Sequence, residues 1–261
     1  MELNIDGNAA LVTASTSGMG LASAEALARE GANVAICGRT PERLTQAREQ
    51  LADVGEGDVL AAEADVTAPD DVAALVEATV EEFGGLDHLV MSAGDPASGR
   101  FLDTTNEEWI GAMETLVMSV VYTAREAHAP LEESDAGTMV AITATSAQEI
   151  LDAAALSNSM RRAVSGLLET LAREFAPEIR VNEIQPGPTE TESLAGVIED
   201  AVERGDYPDY ETGLADWATD APLGRVADPQ EIGDVAAFLS SPRASYVTGA
   251  SLPVDGGTIR S

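Results

Sequence analysis

Short apolar runs alternate with longer amphipathic ones along the whole chain. Ala9 to Val12 is a four-residue apolar run, too short for a helix, and reads as a buried strand. Leu21, Ala24, Leu27 and Ala28 then share one face of a helix that stops at Gly31. Asn33 to Gly38 is a second strand, and Pro41, suited to a first helical turn, opens a helix that runs to Val54. Asp58 to Ala64 is a third strand. Pro69 to Phe83 carries Val72, Leu75, Val76 and Val80 at helical spacing and ends at Gly84-Gly85. Leu86 to Met91 is a fourth strand, Thr105 to about Leu131 a long helix, and Thr138 to Thr143 a fifth strand. Ala153 to Phe175 is another long helix, followed by a sixth strand from Arg180 to Ile184. A helix from Pro229 through Leu239 and a last strand from Ser251 to Val254 complete the series. Strands that are short and wholly apolar, each separated by a helix, predict an α/β fold with a parallel sheet covered on both faces. Between Pro186 and Leu223 the rhythm breaks into a carboxylate-rich stretch with Pro-Gly-Pro, Tyr207, Tyr210 and Trp217, which reads as irregular. Residues 188–223 are therefore expected to form a lid over a binding crevice at the carboxyl end of the sheet.

At 261 residues, with no repeat and no low-complexity linker, the chain is expected to be one domain spanning 1–261. No signal-like segment stands at its start and no apolar run is long enough to span a bilayer, so a soluble cytoplasmic protein is expected. The single cysteine, Cys37, lies inside a strand pattern and reads as buried filler. No metal site is expected.

Charge changes the picture most. The formal net charge is −32, and all 14 basic residues are arginine. The carboxylates are scattered in small groups such as Asp70-Asp71, Glu81-Glu82 and Glu132-Glu133 rather than gathered in a tail. Such self-repulsion weakens a compact state in dilute salt and is screened at about 1 M, where the Debye length falls to ~3 Å. A salt-rich cytoplasm, as in a halophilic archaeon, is the environment this predicts; an ordinary acidic protein is the other reading. Nucleic acid and anionic membranes are excluded as natural partners.

The stretch from Leu11 to Gly20 carries the clearest chemistry. A strand runs into a turn containing Gly18 and Gly20 and then into a helix. Glycine lets the backbone turn sharply and approach a ligand, and the helix N-terminus offers N–H groups suited to a pyrophosphate.

With these motifs in view the chain resembles the short-chain dehydrogenase/reductases along almost its whole length. The family's Thr-Gly-x-x-x-Gly-x-Gly turn appears as Thr13 to Gly20, with Ala14 in place of the first glycine. Asp65-Val66 matches the pair that meets adenine, and Leu89 to Gly94 matches the Asn-Asn-Ala-Gly stretch with both asparagines changed. Val181-Asn182, Pro186-Gly187, Thr189 and Thr191 follow its Val-Asn…Pro-Gly…Thr segment. Gly224-Arg225, Pro229 to Ile232, Phe238-Leu239, Thr248-Gly249 and Val254 to Gly257 follow its C-terminal signature.

The resemblance implies a Rossmann-type, doubly wound parallel sheet of seven strands in the order 3-2-1-4-5-6-7, with helices on both faces. It implies a nicotinamide dinucleotide held by Thr13, Ser15, Ser17, Gly18, Met19, Gly20, Asp65, Val66, Ser92, Ala93, Gly94, Arg161, Pro186, Gly187, Thr189 and Thr191. An NAD enzyme of this kind has a carboxylate at the end of the second strand. Here Gly38 stands there and Arg39 follows, which favours pairing with a 2′-phosphate and so NADP, with NAD the second choice. Arg43, one turn further on, is placed to assist or to pair with nearby glutamates. A homotetramer is implied, and the long helix carrying Ala155, Leu156, Met160, Ala163, Val164, Leu167 and Leu171 shows more apolar surface than one sheet face needs.

The family's catalytic Tyr-x-x-x-Lys falls on Ser157 and Arg161, its serine on Ala144 and its asparagine near Val117. Arg161 can still hydrogen-bond ribose hydroxyls, but an aliphatic hydroxyl is a far weaker acid than a phenol. Thr143, Thr145 and Ser146 flank the empty serine position and are the candidate substrate hydroxyls. A substitute acid could come from Tyr207 or Tyr210 of the lid, or from a water held by Ser157 and Arg161. Tyr122, His88 and His128 read as structural. Two functions fit: an NADP(H)-dependent oxidoreductase interconverting a carbonyl and an alcohol, on a 3-oxoacyl thioester or related small substrate, or a dinucleotide binder without turnover that acts as a sensor or structural subunit.

Overall fold

A computed structural model describes residues 2–259. In chain order the elements are β1 (Ala9–Val12), α1 (Gly18–Arg29), β2 (Asn33–Gly38), α2 (Pro41–Val54), β3 (Val59–Glu63), α3 (Pro69–Phe83) and β4 (His88–Met91). Then come α4 (Asn106–Ala112), α5 (Ser119–Glu132), β5 (Thr138–Ile142), α6 (Ala155–Glu174), β6 (Arg180–Pro186), α7 (Glu192–Glu203), α8 (Tyr210–Trp217), α9 (Pro229–Ser240) and β7 (Ser251–Val254). The seven strands form one sheet in the order β3-β2-β1-β4-β5-β6-β7, every pair parallel. The order reverses between β1 and β4, so the carboxyl ends of these strands open a crevice at the switch point, the usual ligand position in such sheets.

Strand residues alternate between two apolar layers. Ala10, Val12, Val34, Ile36, Val140, Ile142 and Ile184 pack against α1, α2 and α9. Leu11, Ala35, Leu89, Met91, Met139, Ala141 and Val181 pack against α3, α5 and α6. Each Val, Leu, Ile or Met among them is worth about 1.5–3 kcal/mol on burial, so both faces of the sheet must be covered for the fold to hold. Cys37 is part of the second layer, and burial pushes its thiol up to about 11, which makes it inert filler.

Three sequence expectations need correction. The stretch after Pro186 is not irregular: it contains α7 and α8, each capped by a side chain that accepts from its first turn, Thr191 from the Leu194 N–H and Asp209 from the Thr212 N–H. Leu194, Ile198, Val226, Tyr210 and Leu214 give them a small apolar cluster of their own. The helix expected from Thr105 to Leu131 is interrupted by a π-helical turn at Met113–Met118. The apolar surface expected on α6 is smaller than its sequence suggests, because Leu156, Val164 and Leu171 are buried in the chain's own core, leaving Ala155, Met160, Ala163 and Leu167 partly or fully exposed. No described helix is long and apolar enough to cross a membrane.

Candidate functional site

The turn after β1 is shaped by side chains that face inward. Thr13 Oγ1 donates to the Ser92 carbonyl at 2.8 Å and accepts from the Ser92 N–H at 3.0 Å, tying the end of β1 to the end of β4. Ser15 is wholly buried, its hydroxyl donating to Val12 O at 2.6 Å and accepting from Cys37 N at 3.1 Å. Its own N–H donates to Cys37 O. Ser15 was expected among the cofactor-binding residues; it has no donor left for a ligand and acts by holding the turn against β2. Ala14, where the family has glycine, sits at φ 47° and Gly18 at φ 56°. A Cβ on Gly20 would lie 2.5 Å from the Ala14 carbonyl, so only glycine lets the helix close this tightly on the turn. Ser17 stands at the N-cap of α1 without a capping hydrogen bond of its own, and Gly18, Met19 and Gly20 form the first turn, whose N–H groups a helix leaves without internal acceptors.

Three arginines border the crevice, each with a carboxylate beside it. Arg39, just beyond β2, is 79% exposed and stands 4.0 Å from Asp65 Oδ2. The other oxygen of Asp65 accepts from the N–H and hydroxyl of Thr67 at 2.9 and 2.7 Å, which holds its carboxyl below the usual range. Asp65 is thus a turn residue that still presents one oxygen outward; Val66 beside it packs on the α3 side of the core. Arg43 on α2 pairs with Glu192 at the start of α7, 2.8 Å away. Arg161 on α6 is buried, and its Nη2 meets Asp95 Oδ1 at 3.0 Å, just beyond the Ser92-Ala93-Gly94 turn. Asp95 Oδ2 in turn accepts from Ser193 Oγ at 3.0 Å, so one exposed carboxylate links α6 to α7 across the crevice. Burial lowers the Arg161 pKa, opposed by the nearby charges of Asp95 and Glu183.

Segment 188–223 leans on the same turn. Thr191 approaches Gly18 so closely that a Cβ there would lie 3.4 Å from its methyl. Pro186 ends β6 beside Val254, the Gly187 N–H donates to Val254 O, and the buried Thr189 donates to Gly187 O at 3.0 Å.

Among the candidate hydroxyls the structure separates three roles. Ser146 Oγ and Ser157 Oγ lie 2.9 Å apart, and Arg161 Nε donates to Ser157 Oγ at 3.2 Å. The one-turn spacing of Ser157 and Arg161 on α6 places them together, and the short 3₁₀ turn at Thr145–Ala147 brings in Ser146. Thr143 was expected beside the substrate; its hydroxyl instead donates to Glu183 Oε1 at 2.5 Å. Thr145 is buried beneath the same turn. Behind these groups a cavity of about 20 Å³, room for about one water, is lined by Thr13, Ser92, Ser119, Thr143 and Arg161 among others.

A family model described as enoyl-(acyl carrier protein) reductase matches residues 13–258. The chain is 33% identical to the 3-oxoacyl-(acyl-carrier-protein) reductase FabG of Vibrio cholerae, over 98% of each chain. Its structure superposes on L-sorbose reductase from Gluconobacter frateurii, complexed with NADPH and L-sorbose, with a TM-score of 0.96 at 32% identity over the full length of both. Actinorhodin polyketide ketoreductase with NADPH gives 0.90 at 31% identity, covering 96% of this chain and 97% of that one.

The chain belongs to the short-chain dehydrogenase/reductase family. For a member of this family the surroundings of α6 matter most, and here Tyr207 and Tyr210 find their partners in and beside residues 188–223. Tyr207 donates to Asp216 at 2.6 Å, a bond that raises its pKa and makes it a weaker acid. Tyr210 packs in the α7–α8 cluster, its pKa also raised, first by desolvation and then by neighbouring carboxylates, Glu190 foremost. Val117, near the expected asparagine position, lies in the π-helical turn. His88 is buried between Asn8 and Thr138, 2.9 Å from each, and His128 packs edge-on to Phe175. Among the described residues no group of His, Cys, Asp and Glu is arranged to hold a metal ion.

Sequence reasoning missed Asp95, Glu183 and Ser193. A carboxylate directly after the Ser-Ala-Gly turn and another inside an apolar strand were the available signals for the first two. Nothing local to Ser193 marks it; only the fold brings it to Asp95.

Proposed function

We propose that the chain is an NADP(H)-dependent oxidoreductase that interconverts a carbonyl and an alcohol, with Ser157-x-x-x-Arg161 in place of the family's Tyr-x-x-x-Lys. The observation that carries this reading is the Ser146–Ser157–Arg161 constellation, which sits at the carboxyl end of the sheet beside a turn fitted to a dinucleotide. The fit is physical: a turn that Gly20 lets close tightly under the first-turn N–H groups of α1, and an exposed guanidinium at Arg39 after a strand that ends in glycine. The relatives with NADPH in their structures support the same choice.

In this reading Ser17 to Gly20 hold the pyrophosphate, Arg39 the 2′-phosphate and Asp65-Val66 the adenine. Ser92 to Gly94, Pro186, Gly187, Thr189, Thr191 and Arg161 surround the nicotinamide end. The dinucleotide supplies the hydride. The chain's own work is to orient the carbonyl and provide a proton to its oxygen. Because Arg161 Nε donates to Ser157 Oγ, the Ser157 hydrogen is free to point at a substrate oxygen, and the adjacent cation makes it a better donor. Ser157, only part-buried, recovers its proton from solvent, while the wholly buried Ser146 stands behind it at hydrogen-bond distance and steadies it. This pair replaces a phenol as a relay rather than as a stronger acid.

Residues 188–223 act as a lid, with Glu192 and Ser193 at its hinge end. The scattered negative charge and absence of lysine support a halophilic cytoplasm. The exposed edge strand β7, with Leu252 and the neighbouring Tyr246 uncovered, supports a homotetramer in which that edge meets another copy.

Dinucleotide binding without turnover is the second reading, favoured by one observation: among the described residues no tyrosine hydroxyl joins the Ser157–Arg161 pair. NADPH oxidation in molar salt against a panel of ketones and oxoacyl thioesters decides between them. Turnover by the parent that is lost in Ser157→Ala supports the oxidoreductase, and a parent that binds NADPH but is inert across the panel supports the binder.

A further inference from the structure

Glu183 is a carboxylate on the central part of β6, only 1% exposed. Four donors from four elements converge on it: Thr143 beyond β5 at 2.5 Å, Ser165 of α6 at 2.7 Å, Ser251 of β7 at 2.6 Å and the Gln185 amide at 3.2 Å. Thr143 and Ser165 have one hydroxyl hydrogen each and a second acceptor, Ile184 O at 3.2 Å and Arg161 O at 3.1 Å, but both lie closer to Glu183, so all four partners can donate to it at once, as they would to a carboxylate. Every partner is also neutral. A charge withdrawn from water in this way is costly unless an opposite charge shares the same desolvated region.

That opposite charge is Arg161. The Ser165 hydroxyl, 2.7 Å from Glu183, also lies 3.1 Å from the Arg161 carbonyl one turn earlier on α6. Thr143, whose hydroxyl is committed to Glu183, lines the same small cavity as Arg161. Arg161 does have a direct partner in Asp95, but the Asp95 side chain is 60% exposed. Concentrated salt screens an exposed partner and leaves a buried one almost untouched. A guanidinium that cannot shed its proton needs a compensation that salt does not remove.

We propose that Glu183 is the buried counter-charge of Arg161, a positioning residue that acts through Thr143 and Ser165 to keep the guanidinium seated against Ser157. The idea deepens the oxidoreductase reading and rests on it for what Arg161 is held ready to do. The lowered Arg161 pKa, opposed by Glu183, agrees with it. Asp95 then serves the outer side of the guanidinium and Glu183 the inner side. Removing Glu183 leaves the guanidinium with the exposed Asp95 alone; removing Arg161 leaves Glu183 with neutral partners alone.

The test is a thermal-unfolding cycle on the full chain in molar potassium chloride, with Glu183→Gln, Arg161→Met and the two combined. With Arg161 present, Glu183→Gln lowers Tm by several degrees. With Met at 161 the same change costs nothing or raises Tm, because it now removes a stranded charge. A carboxylate that merely pins four elements together would lose equal Tm in both backgrounds, and that additivity overturns the proposal. Should Glu183→Gln alone not fold, recovery of folding on adding Arg161→Met supports the pairing and failure to recover refutes it. The cycle needs no cofactor. A parent that fails to bind NADPH would sink the functional reading and leave the pairing standing, whereas an additive cycle in a parent that binds NADPH removes only the pairing.

Discussion

Arg43 of α2 and Glu192 at the first turn of α7 meet at 2.8 Å, joining the helix after β2 to the segment after β6. A 2′-phosphate at Arg39 would lie one helical turn from Arg43 and compete with Glu192 for it. Both side chains are half-exposed or more, so the pair itself is worth no more than about 1 kcal/mol. Glu192→Gln should tighten NADP binding up to about fivefold and leave NAD unchanged. Arg39→Ala should weaken NADP roughly tenfold or more, again sparing NAD, through loss of a charged hydrogen bond. Calorimetric titration of both nucleotides at one fixed salt concentration measures the four affinities. Equal losses for NAD and NADP in Arg39→Ala would show that Arg39 is only a surface residue.

The serine relay and the arginine should fail differently. Ser157→Ala should keep NADPH affinity within about twofold while turnover falls roughly a hundredfold. Arg161→Ala should weaken NADPH binding by about tenfold or more, since a charged donor is lost. Ser157→Tyr combined with Arg161→Lys should raise carbonyl reduction, because it returns a phenolic acid to the same face of α6. Steady-state rates and fluorescence titrations on the four proteins separate these outcomes. A Ser157→Ala protein as active as the parent would remove the relay.

Ala14 holds a left-handed conformation at φ 47°, which costs a residue with a Cβ roughly 1–2 kcal/mol. Ala14→Gly relieves that strain but adds freedom to the unfolded chain, worth about 0.4–1 kcal/mol in the other direction. The net expectation is a gain of ~0.5–1 kcal/mol, or about 2 °C in Tm. Differential scanning calorimetry of the two proteins is sufficient, and a lower Tm for the glycine variant would contradict it.

A net charge of −32 makes the folded state repel itself wherever salt does not intervene. Tm should rise steadily across a potassium chloride series into the molar range, and the protein should unfold or lose its assembly in dilute buffer. Light scattering on the same samples should give a tetramer mass at high salt. A flat Tm series would mean the acidic surface is not an adaptation to salt.

His88 is buried and uncharged, and burial pulls its pKa from 6.5 to about 4. Between those values the unfolded chain takes up a proton that the folded chain refuses. Stability is therefore intact above pH 6.5 and is lost as pH falls from 6.5 to 4, by roughly 3 kcal/mol from this one group. The Asn8 amide donates to Nε2, so Nδ1 carries the hydrogen that goes to Thr138, and protonation would break the Asn8 contact. Urea midpoints between pH 4 and 7 should fall less steeply in His88→Gln than in the parent. Parallel curves would assign the acid sensitivity to other groups.

How far the sequence could be read depended on how local the determinants were. α2 and α3 are bounded by Pro41, Pro69 and Gly84, and β2 and β7 by abrupt changes of polarity, so their ends were legible to the residue. The helices α7 and α8 were hidden because their apolar positions pack on each other rather than on the sheet, although Thr191 and Asp209 were capping signals in plain view. The π-helical turn needs no signature residue, only one extra residue to absorb, and so left no mark. In the site, Ser157 and Arg161 were legible from the resemblance to the family's Tyr-x-x-x-Lys, whose one-turn spacing they keep. The partners Ser146, Asp95 and Glu183 come from other elements, and only the assembled sheet brings them to α6.

The three arginines that border the crevice are each already matched with a carboxylate, Arg39 with Asp65, Arg43 with Glu192 and Arg161 with Asp95. A phosphate arriving at Arg39 or Arg43 would thus swap one anion for another instead of neutralising a bare cation. The count of ion pairs barely changes on binding. Ordinary phosphate binding weakens steeply with salt because counterions are released when charges meet. An exchange of partners releases few, so the affinity for a nucleotide should be nearly indifferent to ionic strength.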